Sequence, residues 1–476
     1  MKEKKIPSIC IAVFPIIILI VCLLGGIKFL GSGPHIPILT TSIITVIIAM
    51  KLLNFSWQEL EEGIVNSIKN SMGAILILMV VGTVIGTWIA SGVVPTMIYY
   101  GLQIIAPKFL LICALLVCSI VSLTIGSSWT TVATVGIAFM GIGVSMGIPM
   151  PVIAGAIISG SYFGDKMSPL SDTTNLAPAV AGCTLYEHVK HMVYTTTPSY
   201  IISLILFGIL GIRYGSNPTN GDSIKTLAEG LVSSFNITPV LLIVPCIVIL
   251  LVVLKVPALL SLFAGSALGG IFAMIYQNAT LAEVVDYLHY GFVSETGNAT
   301  IDELLSRGGL DSMMWTVSLI LCAMMFAGIL EKTGMIETIT NSMFKFTKSV
   351  GSLVLTTVIS AIVVNLVTGE QYLSIVVPGT MYRNLYNEKG LHMKNLSRSL
   401  EDAGTLTSAL IPWNGCGAFM IATLGLAPWT YVPYCFLNLI NPIVSVIYGY
   451  TGITMEKAYD AADNKNRSKN KAEQVS

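Results

Sequence analysis

Apolar stretches of about 20 residues recur from one end of the chain to the other, parted by short polar or Gly- and Pro-containing joints. A run that long matches the roughly 30 Å hydrocarbon core of a bilayer when wound as a helix. The pattern predicts apolar segments near 8–27, 36–53, 71–91, 108–125, 129–146, 151–182, 193–212, 238–255, 257–276, 312–331, 350–367, 371–382, 403–425 and 428–450. Two of these make poor spanning helices. The 151–182 stretch contains Asp165, Lys166, Pro169 and Asp172, and 371–382 is too short to cross alone. Segments 93–106 and 334–347 are moderately apolar and read as interfacial. The first apolar run follows Met-Lys-Glu-Lys-Lys like a signal peptide, yet no small-residue cleavage site precedes the next span, so a retained helix is expected.

Composition agrees with that pattern. Of 476 residues, 54% are hydrophobic and 11% charged, where a soluble domain carries about 25% charged residues. Mean hydropathy is +0.80. The expected fold class is an all-α polytopic membrane protein, which excludes a soluble enzyme, a nucleic-acid-binding protein and a secreted scaffold. The 25 Lys+Arg balance 25 Asp+Glu, so bulk charge names no partner beyond the lipid bilayer. The nine cysteines mostly sit in apolar stretches, with no CxxC and no metal spacing to His, and read as small buried hydrophobes. No P-loop, GxGxxG or HExxH is present, so neither ATP hydrolysis nor a cofactor is expected.

The two halves of the chain align with each other. Met72, Gly86 and Gly92 match Met314, Gly328 and Gly334 at one constant offset, and Gly126, Trp129 and Gly136 match Gly369, Tyr372 and Gly379 at an offset one residue longer. The expected organisation is a cytoplasmic N-terminus (1–5), membrane repeat one (6–213), a polar external linker (214–237), membrane repeat two (238–452) and a basic cytoplasmic tail (453–476). Seven passes per repeat would invert the second relative to the first. Basic residues test this, because cytoplasmic loops are enriched in Lys and Arg. With both termini cytoplasmic, only Lys28, Lys108, Arg213, Lys225 and Arg307 fall outside, Lys166 lies in the membrane, and all other cations fall inside. Loop 278–310 is acidic and external. The reading is two inverted repeats with re-entrant hairpins and interrupted transmembrane helices, the architecture of a secondary transporter.

In such proteins interrupted helices meet near the midplane and bind ions there. The first interruption places Asp165, Lys166, Ser168, Ser171, Asp172, Thr173, Thr174 and Asn175 in apolar surroundings around Pro169. A carboxylate in a membrane costs several kcal/mol, so Asp165 and Asp172 read as functional rather than as an ion pair with Lys166 or a helix cap. Freed carbonyls and hydroxyls supply hard oxygen ligands for a small cation, and the same carboxylates can hold protons. Lys166 is expected to balance that charge. The matching stretch of the second half supplies Asp402, Thr405, Thr407 and Asn414, with Asp402 preferred over Glu401 because it better keeps the repeat register. Two hairpin tips, 124–132 and 367–375, read as re-entrant; Ser127, Ser128, Thr130 and Thr131 would complete an oxygen shell, and Glu370 reads as a third titrating group or a gate. His188 and His191 read as loop histidines, and Glu59, Glu61 and Glu62 as a solvated face before the third span.

Two long signatures carry a family resemblance: Gly126-Ser-Ser-Trp-Thr-Thr-Val-Ala-Thr-Val-Gly136 followed by Ser159–Asn175, and Glu401–Gly417 in the second half. Both resemble the NhaC family of bacterial sodium/proton antiporters, and the likeness covers nearly the whole chain. The resemblance implies a multi-pass protein of the bacterial cell membrane that exchanges Na+ for H+, with sodium at Asp165 and Asp172. The family also includes malate/lactate antiporters, so an organic-anion exchanger is the alternative, with Lys166 and half-helix N-termini serving the anion. The absence of a membrane-embedded Arg favours the inorganic ion. A homodimer is a further expectation.

Overall fold

The apolar runs fold as helices, and no strand interrupts them among the residues that the computed structural model describes: 4–30, 33–215, 220–297 and 299–458. Among these, nine helices are long and apolar enough to cross a membrane, two shorter apolar helices (Gly415–Leu424 and Phe436–Thr451) join them, and Lys225–Ser234 meets Pro239–Val253 at a 91° bend. The expected basic tail beyond residue 458 lies outside the described residues.

Several helices begin earlier than hydropathy alone predicts, and side-chain chemistry gives the reason. The third is a 34-residue helix, Trp57–Ala90, opened by a capping box in which Ser56 and Glu59 satisfy each other's backbone N–H groups. Glu59 also pairs with Lys4 at 2.5 Å and Glu62 with Lys332 at 3.2 Å. These acids therefore belong to the first turns of the spanning helix rather than to a segment ahead of it, and Glu61 and Glu62 there are solvent-exposed as expected. The buried stripe of that polar end is Leu60, Gly63, Ser67 and Ser71; the last three are small residues that admit close helix contact without raising hydropathy. A Cβ on Gly63 would lie 2.8 Å from the Gly328 carbonyl oxygen of helix Met314–Lys332.

Two further expectations change. Leu185–Gly215 is one helix, so His188 and His191 are not loop histidines: both are buried, His188 Nδ1 2.8 Å from Ser397 Oγ and His191 Nε2 2.8 Å from the Thr454 carbonyl. The linker 214–237 is not simply polar loop, because Asn220–Ser234 is a helix, and Leu227 and Leu231 of it are buried. The acidic 278–310 segment docks on the molecule, the Gly309 amide donating to the Gly82 carbonyl at 2.7 Å.

Two helix–glycine–helix units and two interrupted helices set up the centre. Leu110–Ile125 stops on Gly126 (φ 78°), and Ser127 caps the helix that follows. That second arm passes through a π-helical turn, Val132–Gly136, into Ile137–Ser145. Val350–Thr368 likewise stops on Gly369 (φ 64°), and Glu370 caps Gln371–Glu388. A positive φ is the usual place for glycine at a helix C-terminus. The first interrupted helix runs Met150–Met167, breaks, and resumes as Asp172–Ala181. The second runs from Met393–Leu400 through a π-helical turn, Glu401–Thr405, to Leu406–Ser408, breaks, and resumes as Gly415–Leu424.

Glycines also fix how closely Met150–Met167 approaches Leu110–Ile125. A Cβ on Gly160 would overlap the Leu115 carbonyl, and one on Gly164 would overlap the backbone of Ser122 and Leu123. Because backbone atoms cannot move aside, Gly164→Val is expected to lower thermal stability in detergent sharply, by more than the ~1–3 kcal/mol of ordinary overpacking. Gly25→Ala, with nothing within 4 Å of its Cβ, is the control and should be neutral or slightly stabilising. Melting of the two purified variants checks the contrast.

Candidate ion-binding site

The tips of the two helix–glycine–helix units and the two helix breaks meet around one cavity of about 780 Å³. Each tip rests on a break. A Cβ on Gly126 would come within 2.7 Å of the Leu170 carbonyl carbon and 2.9 Å of the Ser171 nitrogen. The Gly369 carbonyl accepts from the Gly415 amide at 2.9 Å.

A break in a buried helix frees carbonyls that must be satisfied. Here side chains of the resumed helix do it. Thr174 Oγ1 donates to the carbonyls of Asp165 (2.9 Å) and Lys166 (2.8 Å), and Asn175 Nδ2 to those of Pro169 (2.8 Å) and Ser171 (2.7 Å). Ser168 Oγ accepts from the Leu170 amide at 3.2 Å. So Ser168, Thr174 and Asn175, expected as ion ligands, hold the break in shape. Of the three only Asn175 borders the cavity.

Asp165 borders the cavity but is only 8% exposed. Its Oδ1 accepts from Ser171 Oγ and its Oδ2 from Ser128 Oγ, each at 2.6 Å. A carboxylate held between two hydroxyl donors is fixed in orientation, with lone pairs left for a cation. Ser127, Thr130, Ser171, Asp172, Thr173, Glu370 and Asn414 also line the cavity. Asp172 is the first residue of its helix, where the dipole favours a negative charge, and Tyr372 Oη donates to its Oδ2 at 3.4 Å. Glu370 accepts from the amides of Tyr372 (2.7 Å) and Leu373 (3.1 Å), so it caps a helix while facing the cavity. Asn414 caps Gly415–Leu424 through the Cys416 amide at 3.0 Å.

The cavity therefore carries three carboxylates, Asp165, Asp172 and Glu370, against a single cation, Lys255. Sequence reasoning missed Lys255, Gln371, Tyr372 and the pair Asn70-Ser71 among its walls. The signal for the last was present: an Asn-Ser pair inside what would otherwise be a spanning run.

Lys166 and Asp402 are elsewhere. They form an ion pair with each other, both completely buried, and neither borders the cavity. Asp402 Oδ1 also accepts from Thr195 Oγ1 (3.0 Å) and Asn441 Nδ2 (2.7 Å), and Arg398 Nε lies 4.0 Å from Oδ2. Lys166 thus balances Asp402 across the two halves rather than its neighbour Asp165, because adjacent helical residues point apart. Thr407 bonds the Ala403 carbonyl at 2.6 Å and Thr405 is buried away from the cavity, so neither reaches an ion there. Glu401, ranked below Asp402 from the sequence, is the acid that connects to the site. Its Oε1 accepts from Thr173 Oγ1 at 2.9 Å.

An acid-lined cavity where two broken helices meet, in a chain of membrane-spanning helices, is the arrangement of a membrane transporter. Comparison with known proteins agrees: the Na+/H+ antiporter family model matches residues 160–453. The Na+/H+ antiporter NhaC of Alkalihalophilus pseudofirmus is 41% identical over 433 residues, 91% of this chain and 93% of that one. NhaC of Bacillus subtilis is 40% identical, covering 94% and 99%. The malate-2H+/Na+-lactate antiporter of Bacillus subtilis is 37% identical, covering 95% and 96%. This chain belongs to the Na+/H+ antiporter family and is a transporter rather than an enzyme.

Removing one partner of a buried ion pair strands the other charge, which costs about 3–5 kcal/mol. Lys166→Met is therefore expected to lose stability, by less than that because Arg398 still faces Asp402, and Lys166→Met with Asp402→Asn to recover part of it. Melting temperatures of the single and double variants in detergent measure the recovery. A Lys166 that served Asp165 instead would give no rescue.

Proposed function

We propose that the chain exchanges sodium for protons at Asp165, in the membrane of a bacterial cell. The observation that carries this is the placement of Asp165: it is nearly buried, at a helix break, between two hydroxyl donors, on the wall of a cavity with three acids. A bound cation favours the ionised carboxyl and a proton displaces the cation, so the two compete for one group. Ser128 and Ser171 hold Asp165 in place, and Asp172 and Glu370 draw cations into the cavity.

We read the repeats as inverted, with re-entrant hairpins, and a shared register supports the duplication beneath that reading. Gly126 precedes Asp172 by as many residues as Gly369 precedes Gly415, and each glycine sits on the break that follows it. In that register Ser408, not Asp402, stands opposite Asp165. Both termini are then cytoplasmic, and Lys255, exposed at the cavity wall, lies on the cytoplasmic side, from which sodium would be extruded.

The organic-anion alternative keeps one observation in its favour: a cavity of about 780 Å³ with Lys255 on its wall can hold more than a bare ion. Lys255, not Lys166, is the residue that would anchor a dicarboxylate.

Asp165→Asn keeps size and hydrogen bonding but cannot titrate. In proteoliposomes it should abolish sodium-driven proton movement, a fall of at least 100-fold, with unchanged expression and melting; wild-type rates would refute the site. Wild-type exchange of malate for lactate, lost in Lys255→Met, would establish the alternative. For topology, single cysteines at Asn387 and Ser233, in a chain with the exposed Cys10 and Cys246 changed to Ser, should label from opposite faces. Labelling from one face would sink the inverted arrangement.

A further inference from the structure

Asp165 is joined to Glu401 by an unbroken line of oxygens. Asp165 Oδ1 is 2.6 Å from Ser171 Oγ, Ser171 Oγ is 3.1 Å from Thr173 Oγ1, and Thr173 Oγ1 is 2.9 Å from Glu401 Oε1. Both hydroxyl residues and both acids are buried to within 8%. The line starts on the cavity wall and ends at a residue that does not border the cavity.

Hydrogen counting gives this line its meaning. Three contacts need three hydrogens, and each hydroxyl supplies only one. With both carboxyls ionised, Ser171 donates to Asp165, Thr173 donates to Glu401, and the Ser171–Thr173 contact is left as two facing oxygens. One added proton completes the line. Placed on Glu401 it donates to Thr173, Thr173 to Ser171, and Ser171 to an ionised Asp165. Placed on Asp165 it donates to Ser171, Ser171 to Thr173, and Thr173 to an ionised Glu401. The two states differ by one concerted shift: Glu401 gives its proton to Thr173 Oγ1, the Thr173 hydrogen moves to Ser171 Oγ, and the Ser171 hydrogen moves to Asp165 Oδ1. Three O–H bonds break, three form, and nothing else is consumed.

We infer that Glu401 is a second proton-binding site, which takes up the proton that an arriving cation displaces from Asp165, along Ser171 and Thr173, and loses it before the cation is released, so that Asp165 is protonated afresh from the other side. This rests on the reading of Asp165 as the exchange site. The charged groups around Glu401 are Asp165, Lys166 and, on its own helix, Arg398 and Asp402, with Thr173 and Thr405 as hydroxyl neighbours. Lys166 and Asp402 neutralise each other, so the proton on the line is the variable charge. The π-helical turn at Glu401–Thr405 is the local feature that aims Glu401 at Thr173 while its neighbour Asp402 points to Lys166; such turns recur at functional positions.

The test separates cation movement from proton movement. Proteoliposomes are assayed twice, for exchange of labelled against unlabelled sodium and for sodium-driven proton flux. In Glu401→Gln the ratio of proton flux to sodium–sodium exchange should fall at least tenfold, and Glu401→Asp should restore part of it. Thr173→Val cuts the line without touching either acid and should lower the same ratio, while Thr173→Ser should return it to the wild-type value. An unchanged ratio in both Glu401→Gln and Thr173→Val, in a wild type that performs both exchanges, overturns this inference alone. Equal loss of both exchanges in well-folded Glu401→Gln and Thr173→Val also overturns it, since the line would then serve cation binding. A wild type that exchanges sodium for sodium but moves no protons overturns the antiport reading and this inference with it.

Discussion

A helix that stops inside a hydrocarbon layer must find partners for the carbonyls it frees, and that demand organises the centre of this protein. Thr174 and Asn175 reach back from the resumed helix to four such carbonyls. In the second half Asn365 donates to the Gly404 carbonyl at 2.6 Å, and Asn414 caps the helix after the break. Once these groups are spent on the backbone, few polar atoms remain for an ion. Those that remain on the cavity include Asp165 with its two hydroxyl donors and the acids Asp172 and Glu370. The site is what is left over when the breaks have been sealed.

The glycine tips follow from the same demand. An exposed turn of backbone at membrane depth is tolerable only against protein or water. Gly126 and Gly369 put each turn against a break; a side chain would collide with backbone at Gly126 and would crowd the Trp413 carbonyl at Gly369. Tip and break therefore hold each other. Trp129, beside the first tip, stacks on Phe419 of the second broken helix at 4.3 Å and 17°, so the first tip also contacts the other half of the chain.

Much of this was legible in the sequence, and the failures have physical causes. Hydropathy located the spans, Pro169 the first break, and the glycine–polar–aromatic pattern both tips. Asp165 stood out because an acid in an apolar run is expensive. The start of Trp57–Ala90 was hidden because small residues, Gly63, Ser67 and Ser71, form most of its buried stripe there. The histidines were misplaced because polar residues at a helix end read as loop. Lys166 was assigned to its sequence neighbour because a partner in the other half of the chain leaves no local trace. That Glu401 meets Thr173 while Asp402 meets Lys166 was hidden for a related reason: a π-helical turn changes which side chain faces which neighbour, and no periodicity announces it.

The ion pair between Lys166 and Asp402 lies apart from the cavity, and its charge is complete whether or not an ion is present. It joins the first half of the chain to the second, because each half supplies one of the two charges. Neither half can bury its own charge without the other, so the pair makes the two halves one folding unit.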